Sequence, residues 1–191
     1  TPEFISTLVE KGALGQKTRQ GIYASRGKQV FSLAAGDYVD ANNKIDADVA
    51  AILKERDPAV RIQALRASDN PQAQFTWAIL RDLFHYSCFW LNDIADTARD
   101  IDFAMRWGYG WTQGPFEVMQ ACGWKEMVAA INEDIAAGKT MVDAPLPAWV
   151  NDVAGAHSAE GSYSAADSTF KPLSSHPVYQ RQAVREDVLG S

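Results

Sequence analysis

The feature that most constrains this chain is one long helical repeat that begins at Asp69-Asn70-Pro71. Behind that start signal Phe75, Ile79, Leu83, Tyr86, Trp90 and Ile94 recur at three- and four-residue steps, the spacing that gathers side chains on one helix face. The other side is apolar too, with Trp77, Leu80, Phe84 and Phe89. A helix so broadly apolar packs on more than one side, so the spacing predicts a central helix from Pro71 to about Ala98, roughly 40 Å long at 1.5 Å per residue. Phe75, Ile79, Leu83, Tyr86, Trp90 and Ile94 are expected to be its buried residues.

Other elements follow from shorter patterns. A first helix is expected from Pro2 to Lys11, with Thr1 as cap, Phe4, Leu8 and Val9 on one face, and Gly12 ending it. It reads as a helix that starts in mid-protein. Ile22-Tyr23-Ala24 and Gln29-Val30-Phe31 flank an Arg26-Gly27 turn, which predicts a small β-hairpin. Helical period returns at Asp46 and is split by Asp57-Pro58, because proline fits the first turn of a new helix. Beyond the central helix, shorter helices are expected at Ile101–Trp107, Pro115–Cys122 and Trp124–Ala137, closed by Gly108, Gly123 and Gly138. From Asp143 the pattern fades. Asn151–Ser191 is polar and without sustained period, and reads as an extended connector that Tyr163, Phe170 and Tyr179 could pin to a surface.

Charge and composition exclude several functions. The net charge of −6 argues against nucleic acid and anionic membrane surfaces, which need clustered cations. No apolar run reaches the ~18 residues of a membrane span. Cys88 and Cys122 sit in apolar stretches, as reduced cysteines do in the cytoplasm, the expected compartment.

Several residue sets suggest chemistry and then fail on spacing. Ser25-Arg26-Gly27-Lys28, Ser68-Asp69-Asn70 and Lys17-Thr18 look like the parts of a serine β-lactamase, but the order is wrong and Arg19 stands where glycine should follow Lys-Thr. His85, His157 and His176 have no metal-ligand spacing, so satisfied or solvated histidines are expected and no metal. Asp100 and Asp102 suit a helix N-terminus electrostatically, among the acids Asp93, Asp96, Asp100 and Asp102. Lys17, Arg19, Arg26 and Lys28 could touch phosphates in an autonomous CoA-binding protein. The acidic chain speaks against that reading.

Two segments resist a bland reading. In DIDFAMRWGYGWTQGPFEVMQACGW, residues 100–124, glycines interleave with Trp107, Tyr109, Trp111 and Phe116, which predicts a tight helical packing corner. Ile101-Asp102, Ala104-Met105, Gly108, Gly110, Gly114-Pro115-Phe116 and Gly123 resemble in register the signature of the 3-hydroxyacyl-CoA dehydrogenase C-terminal domain. The second segment, GALGQKTRQGIY, resembles the Lys-Thr loop that ends such a domain, through Leu14, Gly15, Lys17, Thr18, Gly21 and Tyr23.

The order of the two motifs is informative. In the family the Gly-Pro-Phe corner precedes the Lys-Thr loop within one domain, whereas here the loop comes first. The resemblance therefore implies a duplication of the multifunctional fatty-acid oxidation type. Residues 1–45 would finish a first copy, 46–142 would form a second, and 143–191 would lead toward a further domain. The implied fold is mainly α: a helical 6-phosphogluconate dehydrogenase C-terminal-like domain with a long central helix and a small N-terminal β-hairpin.

The resemblance also implies a parent oxidoreductase that oxidises 3-hydroxyacyl-CoA with NAD in fatty-acid β-oxidation. Its catalytic residues would lie in a Rossmann domain. The expected partners are the acyl-CoA substrate, that Rossmann domain, a crotonase-type hydratase domain and a second copy of the chain. No Gly-x-Gly-x-x-Gly loop after a strand occurs in these residues, so no NAD is expected on them, no catalytic residue among them, and no activity from them alone. Departures point the same way. The family's asparagine–arginine pair is Leu80-Arg81, Thr112-Gln113 replaces a proline, and Gln120 replaces an aspartate. Leu80 is expected to be buried against Trp107, Trp111 or Phe116, with Gln120 nearby, where a cleft has filled. The alternative from another class is a non-catalytic helical interaction module.

Overall fold

The computed structural model describes residues 2–42, 44–173 and 176. Thr1 and Tyr179, for which a cap and a surface anchor are expected, lie outside them. The chain divides into two compact units, Thr1–Ile45 and Asp46–Ser191. Among the described residues there are eight α-helices and two three-stranded antiparallel sheets, and 53% of those residues are helical, so the fold is mainly α with a small β part.

The first unit opens with helix α1 (Glu3–Glu10), which buries Leu8. Leu8, Ala13 and Phe31 form its core, with Phe4 and Tyr38 packed against them. Val9 faces outward instead, being one residue round the helix from Leu8. Strands β1 (Tyr23–Ala24), β2 (Gln29–Ser32) and β3 (Asp37–Asp40) follow. The expected hairpin is present, with Tyr23 opposite Val30. A third strand extends it, and Phe31 pairs with Tyr38 at a ring separation of 5.6 Å. That strand carries Asp at both ends, which hid it from a search for β-rich runs.

The second unit is built on the central helix, α4 (Pro71–Ile94). Asn70 caps it by accepting the Gln72 N–H at 2.8 Å, and 24 residues give a length of about 36 Å. The face it buries is not the one the spacing suggested. Ala73, Trp77, Arg81, Phe84, His85, Ser87, Cys88 and Leu91 point inward. Phe75, Ile79, Tyr86, Trp90 and Ile94 are exposed, Phe75 by 66% and Trp90 by 40%, and Leu83 is half-buried. Both stripes have helical period and both are apolar. The inward one differs in holding small and polar side chains (Ala73, Ser87, Cys88) that let neighbouring helices approach.

Helices α2 (Ala47–Leu53), α3 (Pro58–Ala67), α5 (Ala98–Tyr109), α6 (Pro115–Ala121) and α7 (Trp124–Ala136) close around that stripe. Asp57 accepts the Ala59 N–H at the start of α3, as the Asp-Pro pair predicts. Thr97 and Asp100 form a capping box that starts α5 at Ala98, earlier than the periodicity suggested.

Residues 149–171 depart most from the sequence reading. They are not an extended connector. Helix α8 (Trp149–Asp152) is followed by strands β4 (His157–Ser158), β5 (Gly161–Ser164) and β6 (Thr169–Lys171), and Val150, Ala156 and Tyr163 join the main core. An aromatic ladder ties this sheet to the helices: Trp124 to Trp149 at 5.8 Å, Trp149 stacked on Tyr163 at 4.9 Å, and Tyr163 edge-on to Phe170 at 5.5 Å. Each of these rings removes a large apolar area from water, enough to order a segment whose strands are only two to four residues long. Among the described residues no helix is long and apolar enough to cross a membrane.

Candidate functional site

The Gly-Pro-Phe corner centres on Asp102. Its side chain leaves the buried face of α5 and meets the first turn of α6. Asp102 Oδ1 accepts the Phe116 N–H at 2.8 Å, one of the amides that a helix start leaves without an intrahelical partner. Glu117 accepts the Gly114 N–H at 2.7 Å and pairs with Arg106 at 3.0 Å. Asp102 therefore does serve a helix N-terminus, but that of α6 rather than its own.

The glycine of the corner is fixed by contact. A Cβ on Gly114 would lie 2.3 Å from the Asp102 Cα, so only glycine lets α5 and α6 come this close. Gly110 ends α5 in the left-handed region at φ 69°, whereas Gly108 faces open space. Pro115 and Phe116 are buried. Trp107, Tyr109 and Trp111 are exposed, so of the four aromatics expected to pack the corner only Phe116 does so. Their positions fall on the outer side of α5 and on the loop beyond it, and Trp107 only stacks on Phe103, at 4.8 Å.

The second Asp102 oxygen makes a bond that spacing did not reveal. Oδ2 lies 2.7 Å from His157 Nε2, and both side chains are 1% exposed. The Gln120 amide brackets the same histidine's backbone, donating to its carbonyl and accepting its N–H, each at 2.9 Å. Gly155 lies against that amide; a Cβ there would be 2.4 Å from Gln120 Oε1. Burial is the main cause that lifts the Asp102 carboxyl from 3.8 to about 6, against the opposing pull of His157. His157 Nδ1 has no hydrogen-bond partner.

This pair could in principle trade a proton, but neither residue lines any of the three grooves described below. As placed, it staples strand β4 to α5 and α6. Neighbouring Cys88 is held far above its usual thiol range by burial and the Asp102 charge, so it stays protonated and is no nucleophile.

A second buried cluster surrounds Arg81. Its guanidinium pairs with Asp82 at 3.0 Å and Asp134 at 3.1 Å, and donates to the Lys139 carbonyl at 2.6 Å, while Trp77 Nε1 donates to Asp134 at 2.8 Å. It ties α4 to α7 beneath a groove of about 410 Å³ lined also by Gln63 and Arg66. The adjacent Leu80 is half-buried and packs at the margin of the main core. Of the three rings expected against it, Trp107 and Trp111 are exposed and Phe116 is buried in the same core, and Gln120 bonds to the His157 backbone. A second groove, of about 290 Å³, lies between α7 and α8.

The Lys-Thr loop resides in the first unit. Thr18 Oγ1 accepts the Leu14 N–H and donates to the Gln20 carbonyl, both at 2.9 Å. Gly15 takes φ 108°, and a Cβ on Gly21 would meet the Gly15 Cα at 3.0 Å. Tyr38 Oη donates to the Gly21 carbonyl at 2.5 Å. Thr18, Gly15 and Gly21 thus shape the loop, while Lys17 and Tyr23 are exposed. Gly123, at φ 92°, turns the chain from α6 into α7.

Fold and site together define a mainly helical module knit by buried ion pairs, with a small sheet stapled on by a carboxylate–imidazole bond. The chain is similar to a segment of two much longer curated proteins. It is 29% identical over 154 residues to a protein of Bacillus subtilis (strain 168) named as a 3-hydroxyacyl-CoA dehydrogenase, covering 80% of this chain and 18% of that protein. It is 24% identical over 154 residues to a Rickettsia felis protein named as a fatty acid oxidation complex trifunctional enzyme, covering 78% of this chain and 19% of that one. The chain thus spans about a fifth of the length of these curated relatives. No family model matches it, and no solved structure does.

Proposed function

We propose that this chain is the C-terminal helical part of an NAD-dependent 3-hydroxyacyl-CoA dehydrogenase of β-oxidation, of the 6-phosphogluconate dehydrogenase C-terminal-like fold. Residues 1–45 finish one domain copy. A second copy begins at residue 46 and includes the stapled sheet. Its work is scaffolding: it offers interdomain or subunit contacts and part of the acyl-CoA wall, while hydride transfer belongs to the remaining four-fifths of such an enzyme.

One observation carries the scaffold role. Phe75, Ile79, Tyr86, Trp90 and Ile94 form a continuous apolar stripe along the outer face of α4 and are exposed. Contiguous apolar faces of this size on a soluble helix mark surfaces that another protein surface covers. The described residues do not fit NAD. Both sheets are antiparallel, whereas dinucleotide folds set a glycine-rich loop between a parallel strand and a helix. Asp102 and His157, a buried carboxylate–imidazole pair, line none of the three grooves described.

Two measurements test the reading. The isolated chain should show no oxidation of 3-hydroxyacyl-CoA and no saturable binding of NADH; either would overturn the division of labour. In sedimentation velocity the chain should self-associate, or capture the rest of the enzyme, through the α4 stripe. Replacing Phe75, Ile79 and Trp90 with serine should abolish that association. Association that persists in the triple variant would remove the scaffold assignment from α4.

A further inference from the structure

Between Lys11 and Gly36 this acidic chain carries five cations (Lys11, Lys17, Arg19, Arg26 and Lys28) and no Asp or Glu. In the second unit Arg66, Arg81 and Arg106 have carboxylate partners, while Arg56, Arg61 and Arg99 have none among the described residues. In the first, none of Lys17, Arg19, Arg26 and Lys28 has one among the described residues. Their positive charge is left uncompensated at one end of a small sheet.

Two of those cations sit on strained backbone. Four non-glycine residues among those described have φ in the left-handed region: Arg19 at 62°, Ser25 at 52°, Arg26 at 59° and Ser168 at 53°. Three of the four line a single groove of about 980 Å³, with Gly15, Gln16, Gly21, Ile22, Tyr23 and Gly27 completing it. Glycine would hold these turns without strain, and arginine is an unfavourable choice for them. Two arginines at such positions, around one groove, put two guanidinium side chains where glycine would be the easier choice.

The groove's composition states the ligand chemistry. Glycines at 15, 21 and 27 keep the floor free of side chains. Planar guanidinium groups suit the paired oxygens of a phosphate, and a phosphomonoester dianion is attracted more strongly than the singly charged diesters of a dinucleotide. Tyr23, 63% exposed on β1, offers a ring face beside them, and Ile22 is exposed next to it. An exposed aromatic beside arginines is a platform for a planar base.

We propose that the groove over residues 15–27 binds a nucleotide that bears a phosphomonoester, with Arg19 and Arg26 on the phosphate and Tyr23 against the base. This site is independent of the dehydrogenase reading and stands or falls without it.

Calorimetric titration of the 191-residue chain at low salt tests it with AMP, adenosine, inorganic phosphate and NADH as probes. AMP should bind saturably, with Kd below about 1 mM. Inorganic phosphate should bind at least roughly tenfold more weakly, and adenosine and NADH not measurably. AMP affinity should fall as salt screens the arginines. Arg19→Gly with Arg26→Gly should abolish AMP binding and raise Tm, since it relieves both strained residues. Tyr23→Ala should weaken AMP to the level of inorganic phosphate while leaving phosphate binding unchanged. Absence of saturable AMP binding, equal affinity for AMP and phosphate, or AMP binding that survives in the glycine variant would overturn the proposal.

Discussion

Asp102 and His157 stand 55 residues apart in sequence and 2.7 Å apart in space, and each is almost wholly buried. Removing one partner strands the other. Asp102→Ala leaves both the imidazole and the Phe116 N–H without an acceptor, so it should cost about 3–5 kcal/mol in urea unfolding. Gln120→Ala, which frees the His157 backbone N–H and carbonyl, should cost roughly 1–3 kcal/mol. Equal and small losses would show that the pair is dispensable.

The pair also sets a pH dependence whose sign runs against the usual carboxylate. The folded Asp102 titrates at about 6 and the free carboxyl at 3.8, so the folded state holds the proton more tightly. The stabilisation this gives is complete below about pH 4 and is lost as pH rises through 6. Two pKa units correspond to on the order of 2–3 kcal/mol. The difference in unfolding free energy between the native chain and Asp102→Asn, measured from pH 4 to 7, should therefore shift by that order and level off above 6. A flat difference across the range would show that burial does not govern this carboxyl.

Two glycines of the same corner should behave in opposite ways. A methyl group on Gly114 collides with the Asp102 backbone, so Gly114→Ala must push α6 off α5 and should lose upward of about 2 kcal/mol. Gly108 lies near the end of α5 with open space around its Cβ direction. Gly108→Ala should be neutral or raise stability by up to about 1 kcal/mol, through helix propensity alone. Thermal denaturation of the two single variants decides this directly.

On the central helix, Leu91→Ala removes a fully buried side chain and should cost roughly 2–5 kcal/mol. Leu83 is only half-buried, so Leu83→Ala should cost nearer 1 kcal/mol. The order of the two losses checks which face of α4 is inside.

Ending the chain at Val142 should expose the main core, because Leu146, Val150, Ala156 and Tyr163 leave it. The shortened chain is expected to bind a hydrophobic dye and to lose its near-ultraviolet dichroism. A shortened chain that melts like the native one would return residues 143–173 to the status of a connector.

The helices were legible in the sequence because their signals are local. Asn70-Pro71 and Asp57-Pro58 name their own boundaries, and the glycines at 110, 123 and 138 end or begin helices near the expected places. What stayed hidden depends on distance along the chain. Arg81 and Asp134 are 53 residues apart, and nothing near either names the other. The inner face of α4 could not be told from the outer one, because both stripes are aromatic and both keep a helical period. Strands β4 to β6 went unseen because His157, Ser162 and Ser164 are buried polar residues, and His157 and Ser162 bond to Asp102 and Arg99 more than fifty residues away. In the Gly-Pro-Phe motif the glycine's role follows from local crowding, whereas Asp102 needed its histidine before its burial made sense.

The staple between Asp102 and His157 also sets an order of events during synthesis. A ribosome adding 5–20 residues per second takes roughly 3 to 11 s to travel from the carboxylate to the imidazole. Toward the end of that interval α4 to α7 exist without the sheet that covers them, with Phe116, Trp124 and the Asp102 carboxyl open to water or to other nascent chains. The module therefore completes only when its last third has been made. A slow translation stretch just after codon 142 should raise the aggregated fraction of newly made chain, while the same pause placed after codon 173 should leave it unchanged.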